Sequence, residues 1–252
     1  MRYNHVMNSL SKAWLFTADI SSLANDPDLE AMALEMVSDG RRDAALRISN
    51  DHGRCLSLGA EILLRAGLEA AGVCTAERQA LSFEYGKNGK PYLRGENVFF
   101  NISHSGDMVI CALAPFEVGC DIEQIREGSR TRKIAARYFT EEEQAFVVSQ
   151  PDETEAFYRM WTHKESFMKV TGMGLSLSLA DFCIHMPKED RAGTQFGSIT
   201  VTQNVDDRQY SFYEYDGISG YRVSVCGAAG SVNPMIQEIS LEKYIFNKLK
   251  YR

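Results

Sequence analysis

Glu155–Gly174, EAFYRMWTHKESFMKVTGMG, decides how this chain is read. The stretch has no proline and runs to Thr171-Gly172, a helix stop. Phe157, Met160, Trp161, Phe167 and Met168 recur at the spacing of a half-buried helix. One long helix is therefore predicted. Trp161, Glu165 and Lys169 follow at i, i+4 and i+8, so they share a face. An acid and a base beside a tryptophan have two readings. They are a surface ion pair over the edge of a core, or a functional pair, and the helix alone leaves both open.

Working outward, the stretch just before it supplies two shorter helices, Arg130–Phe139 and Glu141–Ser149. Thr140 and Glu143 have the spacing of a capping box at the start of the second. Glu117–Ile125 (EVGCDIEQI) reads as a strand, and Pro115 marks the boundary between an N-terminal lobe, 1–115, and a second lobe, 116–230. The second lobe continues in β-type segments at 181–185, 197–202, 209–215 and 221–226. Residues 231–252 are expected to be a C-terminal tail, a surface helix or loose chain.

In the N-terminal lobe, Ala13–Ala18 reads as a strand and Asp26–Ser38 as a helix capped by Asn25 or Asp26. Asp39–Ser49 follows as a short helix. Asp51–Ala71 is a strongly amphipathic one, stopped by Gly72. Four turn formers, Gly86, Gly89, Pro91 and Gly95, make 83–95 a loop with tight turns. Val98–Ile102 and Met108–Ala114 are two short strands separated by Ser-His-Ser-Gly-Asp.

Composition excludes several classes. The 252 residues are 44% apolar and 24% charged, an ordinary globular balance. No apolar run approaches a membrane span, and MRYNHVMNSL lacks the apolar core of a signal peptide. The six cysteines are scattered without a CxxC, which suits small buried hydrophobes in a reducing cytoplasm. A net charge of −7 argues against a non-specific nucleic-acid binder. Two basic patches interrupt it, one at Arg41, Arg42, Arg47 and Arg54, the other across Arg126–Arg137. An acidic protein with such patches suits anionic small molecules or acidic partners.

Three pieces carry chemistry. Asp121 and Glu123 lie i, i+2 on a half-buried strand and face the same side, where they repel unless a cation relieves them. Together with Glu165 they make a candidate oxygen-ligand site for Mg2+, which in turn favours a phosphate-bearing substrate. Ser103-His104-Ser105 offers donors suited to phosphate oxygens, or else is a polar turn. Ser103 and His104 are adjacent, so they point apart and make a poor nucleophile–base pair. Lys90, in the glycine loop, has the reach of a phosphate contact or of a solvated lysine.

The pieces occur in a fixed order: Gly89-Lys90-Pro91, FNISHSG (100–106), VGCDIE (118–123), Phe139-Thr140-x-x-Glu143, then WTHKESFMKVTGMGLSLSL (161–179). In this order and spacing the chain resembles the Sfp-type 4′-phosphopantetheinyl transferases, densely over residues 83–186. The resemblance implies two similar α+β lobes in one chain, related by a pseudo-two-fold axis, with the active site between them. It implies transfer of the phosphopantetheine arm of coenzyme A to a serine of a carrier protein, with release of adenosine 3′,5′-bisphosphate. By residue match, Asp121, Glu123 and Glu165 would ligate Mg2+, and Lys169 would hold a phosphate oxygen. Ser103 and His104 would contact the coenzyme's phosphates and Lys90 would line the cleft. Arg41 and Arg54 would lie near the adenosine 3′-phosphate. In that early segment Ala44 stands where a base is common and Leu56 where an arginine is often found.

The catalytic candidates are thus Glu165, Lys169 and His104, with Glu165 or a base acting through water taking the serine's proton. Trp161 is read as packing. Carrier proteins are generally acidic, which makes Arg126–Arg137 the expected docking surface. A single chain with both lobes predicts a cytoplasmic monomer with neither nucleic-acid nor membrane partners. The rival readings are a metal-dependent phosphodiesterase or pyrophosphatase acting on a nucleotide, and a non-catalytic coenzyme A-binding regulator.

Overall fold

A computed structural model of the chain describes residues 12–73, 81–128, 130–187, 198–228 and 231–249. The N-terminal decapeptide, Cys74 and the ends of the predicted 197–202 strand and C-terminal tail lie outside them. The first half runs β1 (Lys12–Asp19), α1 (Ser21–Asn25), α2 (Pro27–Met36), α3 (Asp39–Leu46), α4 (Asp51–Ala70), β2 (Phe83–Tyr85), β3 (Pro91–Leu93), β4 (Phe99–Ser105) and β5 (Met108–Ala114). The second runs β6 (Val118–Gln124), α5 (Thr131–Tyr138), α6 (Glu141–Ser149), α7 (Glu153–Thr171), β7 (Cys183–His185), β8 (Thr200–Thr202), β9 (Tyr210–Tyr215) and β10 (Tyr221–Ala228). The chain closes with β11 (Ser231–Glu238) and α8 (Leu241–Leu249). The fold is α+β.

Local signals explain most boundaries. Asp26 accepts from Asp28 N and Leu29 N at the start of α2, Ser38 caps α3 and Asn50 caps α4. Thr140 and Glu143 form the complete capping box of α6. α7 ends on Gly172, whose left-handed backbone (φ 67°) suits a residue without a Cβ.

The strands form two main sheets, one ordered β11-β1-β5-β4 and one ordered β6-β10-β9. α4 packs on the first, chiefly on β5, and α7 on the second, across β6 and β10. One apolar cluster lies under α4, another under α7, and a third, including Leu15, Ile110, Ile122 and Val225, is shared by both sheets.

Three expectations need correction. Residues 83–95 are not only a loop: β2 and β3 pair antiparallel, Phe83 opposite Leu93, with the glycine turn at the tip. Ser103, His104 and Ser105 do not connect strands; they belong to β4, and the turn is Gly106-Asp107. Residues 231–249 are not a loose tail. β11 returns to the first sheet and pairs parallel with β1, while Leu241 and Ile245 of α8 are buried in the cluster under α4. That parallel partner is distant in sequence, so local patterning carries no trace of it.

Candidate active site

The site lies at the seam between the two sheets. Edge strands β4 and β6 run side by side but are joined through side chains. Asn101 Oδ1 accepts from Cys120 N at 2.8 Å, Ser103 Oγ donates to Asp121 Oδ1 at 2.9 Å, and Ser105 Oγ donates to Glu123 Oε2 at 2.9 Å. Ser105 Oγ also accepts from Gln124 N at 3.1 Å. Asn101, Ser103 and Ser105 are alternate residues, so one face of β4 supplies the whole seam.

α7 closes the third side, and Gly119 permits its approach. A Cβ at Gly119 would lie 2.1 Å from the Ser166 carbonyl oxygen and 2.5 Å from Val170 N, both backbone atoms. With glycine there, the α7 backbone descends onto β6 and brings Glu165 and Lys169 over Asp121 and Glu123. Lys169 Nζ donates to Asp121 Oδ1 at 2.6 Å and to Ser103 Oγ at 2.8 Å. Glu165 stands near enough for Asp121, Glu123 and Lys169 all to act on its charge.

The electrostatics describe a set of carboxylates in excess of its cations. Burial, then Asp121, raises the pKa of Glu123; the same two causes in the same order raise that of Glu165. Burial opposes the charge on Lys169, but Asp121, Cys120 and Glu165 together outweigh it and raise its pKa, so the lysine stays protonated. Asp121 is 3% exposed, and its Oδ2 is buried without a hydrogen-bond partner among the described residues. An unpartnered carboxylate oxygen beside two further carboxylates fits an oxygen-ligated cation, the hard-ligand chemistry of Mg2+.

The structure therefore brings together Asp121, Glu123, Glu165, Lys169 and Ser103. His104 borders the group on the opposite face of β4, exposed where Ser103 is buried. Local desolvation, then Lys169, lowers its pKa and keeps the imidazole neutral.

Three expected phosphate contacts come out differently. Lys90 is buried, and its ammonium donates to Glu117 Oε2 (2.6 Å), Val118 O (3.1 Å) and Val170 O (3.1 Å). All three donors are used, so its side chain ties the β2–β3 turn to β6 and α7 rather than presenting a charge to the cleft. The Arg54 guanidinium is held by Glu30 and Asp51, whose hydrogen bonds raise its pKa. Arg41 reaches Ser57 Oγ at 3.3 Å and Glu61 at 3.7 Å. Both arginines serve the packing of α2–α4 and meet none of the seam residues in the contacts of the described residues.

Sequence reasoning placed Ser105 among phosphate donors and missed the seam that Ser105 and Asn101 make with β6, as well as the Lys164–Glu143 pair. Ser105 and Asn101 were legible as members of an alternating polar set once 99–105 is taken as strand. Lys164 is fully buried, and its Nζ donates to Glu143 Oε1 and Oε2 at 2.5 and 2.7 Å and to Phe182 O at 3.0 Å. Glu143 is thus more than a capping residue. Trp161 packs as expected, stacked on Phe157 with ring centroids 5.8 Å apart.

Comparison with known proteins agrees with this geometry. A family model described as the 4′-phosphopantetheinyl transferase superfamily matches residues 117–226, the part that holds β6 and α7. A 4′-phosphopantetheinyl transferase of Bacillus subtilis is 32% identical over 203 residues, covering 79% of this chain and 85% of its own length. The 4′-phosphopantetheinyl transferase gsp of Aneurinibacillus migulanus is 32% identical over 198 residues, 78% of each chain. The enzyme Sfp of Bacillus subtilis strain 168 is 34% identical over 164 residues, 64% of this chain and 68% of its own. With a seam of carboxylates and a lysine at the matched motifs, and relatives aligned along most of its length, this chain belongs to the 4′-phosphopantetheinyl transferase family.

Proposed function

We propose that the seam moves the phosphopantetheine arm of coenzyme A onto a serine hydroxyl of an apo carrier protein. The observation that carries this is the buried, unpartnered Asp121 Oδ2 beside Glu123, Glu165 and Lys169. Asp121, Glu123 and Glu165 would hold Mg2+, which when bound supplies positive charge against the pyrophosphate oxygens. Lys169, with 27% of its side chain exposed, uses two ammonium donors on Asp121 and Ser103 and gives the third to a phosphate oxygen. Ser103, expected from the resemblance to contact a phosphate, is buried with its hydroxyl between Asp121 and Lys169, and keeps that lysine in place. His104, neutral at the rim, offers a hydrogen bond to a coenzyme phosphate. In the transfer the serine Oγ forms a bond to phosphorus and loses its proton to the Glu165 carboxylate. The bond to the bridging oxygen on the adenosine side breaks, and adenosine 3′,5′-bisphosphate leaves.

The partner is an acidic carrier protein docking on Arg126–Arg137. Lys133 is exposed there, and exposed Arg132 is held in a two-pronged ion pair with Glu153, both bonds 2.8 Å. Two halves that each lay one long helix on an antiparallel pair of strands support the pseudo-two-fold reading and a monomeric enzyme. No helix among the described residues is long and apolar enough to cross a membrane.

The test is an apo carrier protein incubated with coenzyme A, Mg2+ and the enzyme, followed by mass spectrometry. The carrier gains the mass of the arm with the wild type, and Glu165→Gln slows the gain by about 100-fold or more. Full activity in Glu165→Gln refutes the assignment. Release of bisphosphate without any carrier would instead identify a nucleotide hydrolase.

A further inference from the structure

Away from the seam, the first turn of α6 meets β7 and brings three side chains of different chemistry together. Glu142, Cys183 and His185 each place one ligand atom within 4.8 Å of the others. Cys183 and His185 are i, i+2 on a strand and share its face. Glu142 Oε1 lies 2.7 Å from His185 Nδ1, and Glu142 Oε2 lies 3.9 Å from Cys183 Sγ. Behind them, His185 Nε2 is 2.8 Å from Thr202 Oγ1 on β8. Thr140 Oγ1, the cap of α6, is 3.2 Å from Cys183 Sγ.

A thiol, an imidazole and a carboxylate make a softer donor set than the all-oxygen seam, and one suited to Zn2+ rather than Mg2+. Tetrahedral bonds of about 2.0–2.3 Å place neighbouring ligand atoms roughly 3.3–3.7 Å apart, so only small side-chain movements are needed. In the metal-free site the 2.7 Å contact with the Glu142 carboxylate places the imidazole proton on Nδ1. On metal binding that proton moves to Nε2, where Thr202 Oγ1 accepts it, and the freed Nδ1 lone pair faces the ion, so that an outer hydrogen bond fixes the ligand's tautomer. The approach is open, since 64% of the Glu142 side chain and 33% of the His185 side chain are exposed.

We propose that Glu142, Cys183 and His185 form a second, zinc-type metal site, with water in the fourth position. Binding replaces the Cys183 thiol proton, which leaves to solvent, with a metal–sulfur bond. The ion then clamps α6 to the β7–β8 hairpin independently of the transfer chemistry.

The test uses the full chain, stripped with chelator, in a Cys74→Ser background because Cys74 lies outside the described residues. Co2+ serves as the probe. One equivalent is expected to give thiolate-to-cobalt absorption in the near ultraviolet and the visible bands of tetrahedral cobalt. Zn2+ abolishes both and excess Mg2+ leaves them unchanged. Cys183→Ser loses the near-ultraviolet band, His185→Gln loses the tetrahedral pattern, and Thr202→Val weakens Co2+ binding about 10-fold. Zn2+ at 100 times its Kd raises Tm by about 5 °C or more. No near-ultraviolet band in the starting protein, or a band that persists in Cys183→Ser, overturns the proposal. Should Cys183→Ser fail to fold, an unaltered cobalt spectrum in His185→Gln overturns it equally.

Discussion

α4 lies across β5 of the first sheet and α7 across β6 and β10 of the second. The faces they bury are chemically different. Under α4 lie Leu58, Ile62, Leu63, Leu64 and Leu68, with Glu61 as the buried charge. Under α7, Thr162, His163, Lys164 and Ser166 are all fully buried among its apolar residues. Even the shared task of anchoring a short helix is solved differently. In the first half Glu61 of α4 accepts directly from Ser38 N and Oγ, both at 2.7 Å, at the cap of α3. In the second, Glu143 of α6 accepts from Thr140 N at 2.8 Å, and α7 answers it with Lys164. A helix that only closes a core tolerates an apolar face. A helix that must hold Glu165 and Lys169 at fixed height over β6 is tied down by directional polar contacts, which fix rotation and register better than non-directional burial does.

The strongest way to break the comparison is at the glycines beneath the two helices. Gly119→Ala forces backbone against backbone and should cost about 4 kcal/mol or more, seen as loss of the cooperative thermal transition or a large fall in denaturation midpoint. Gly59→Ala in α4 meets side-chain methyls rather than backbone, Ile20 Cγ2 at 2.8 Å and Leu241 Cδ1 at 3.3 Å, and gains helix propensity, so it should cost about 1 kcal/mol. Equal costs would mean that α7 is no more tightly seated than α4.

Next in size is the buried pair. Lys164→Met leaves Glu143 buried without its cation and should lower stability by about 3–5 kcal/mol in urea denaturation. Glu61→Gln keeps its hydrogen-bonding shape and retains a neighbourhood shared with Arg65, so about 1 kcal/mol is expected.

A pH-dependent effect sharpens the contrast further. Glu214 on β9 is 4% exposed and forms a two-pronged ion pair with Arg159 of α7, at 2.7 and 2.8 Å. Burial alone would raise its pKa, but His163 and Arg159 outweigh burial and lower it from 4.5 to about 2. Its contribution is therefore complete above pH 4.5 and lost as pH falls toward 2. Glu214→Gln should remove about 2–3 kcal/mol of stability at neutral pH and flatten the fall between those values. An unchanged acid limb would remove Glu214 from the set that seats α7.

The smallest effect on stability belongs to the surface. Arg132→Glu with Lys133→Glu should change stability by about 0.5 kcal/mol or less, yet raise the apparent KM for the carrier several-fold and leave coenzyme A affinity alone. Unchanged carrier kinetics would move the docking face elsewhere.

Much of this was readable in advance where the signal is local. Asp26, Thr140 and Gly172 announce helix ends within three or four residues of chain, and the i, i+4 pair Glu165–Lys169 shares a face because a helix repeats every 3.6 residues. Ordered motifs were enough to join Asp121, Glu123 and Glu165 as one set. What stayed hidden were partners distant in sequence. Lys90 reads as a free loop lysine until Glu117, Val118 and Val170 surround it, and Arg54 as a free cation until Glu30 takes its fork. Ser103-His104-Ser105 reads as a turn because polar residues beside glycine favour turns. Pairing with β5 and the Asp121–Glu123 edge overrides that preference.

The sequence by itself determined the capped helices and picked out the polar groups that the seam collects, since periodicity, caps and motif order are properties of the chain alone. Tertiary structure decided where those groups meet. It returned residues 231–249 to the first sheet, placed the site at a seam joined by side chains, and set the height of α7 over β6 through the missing Cβ of Gly119. Each of these depends on contacts between residues far apart in the chain, whose geometry exists only once both sheets have formed.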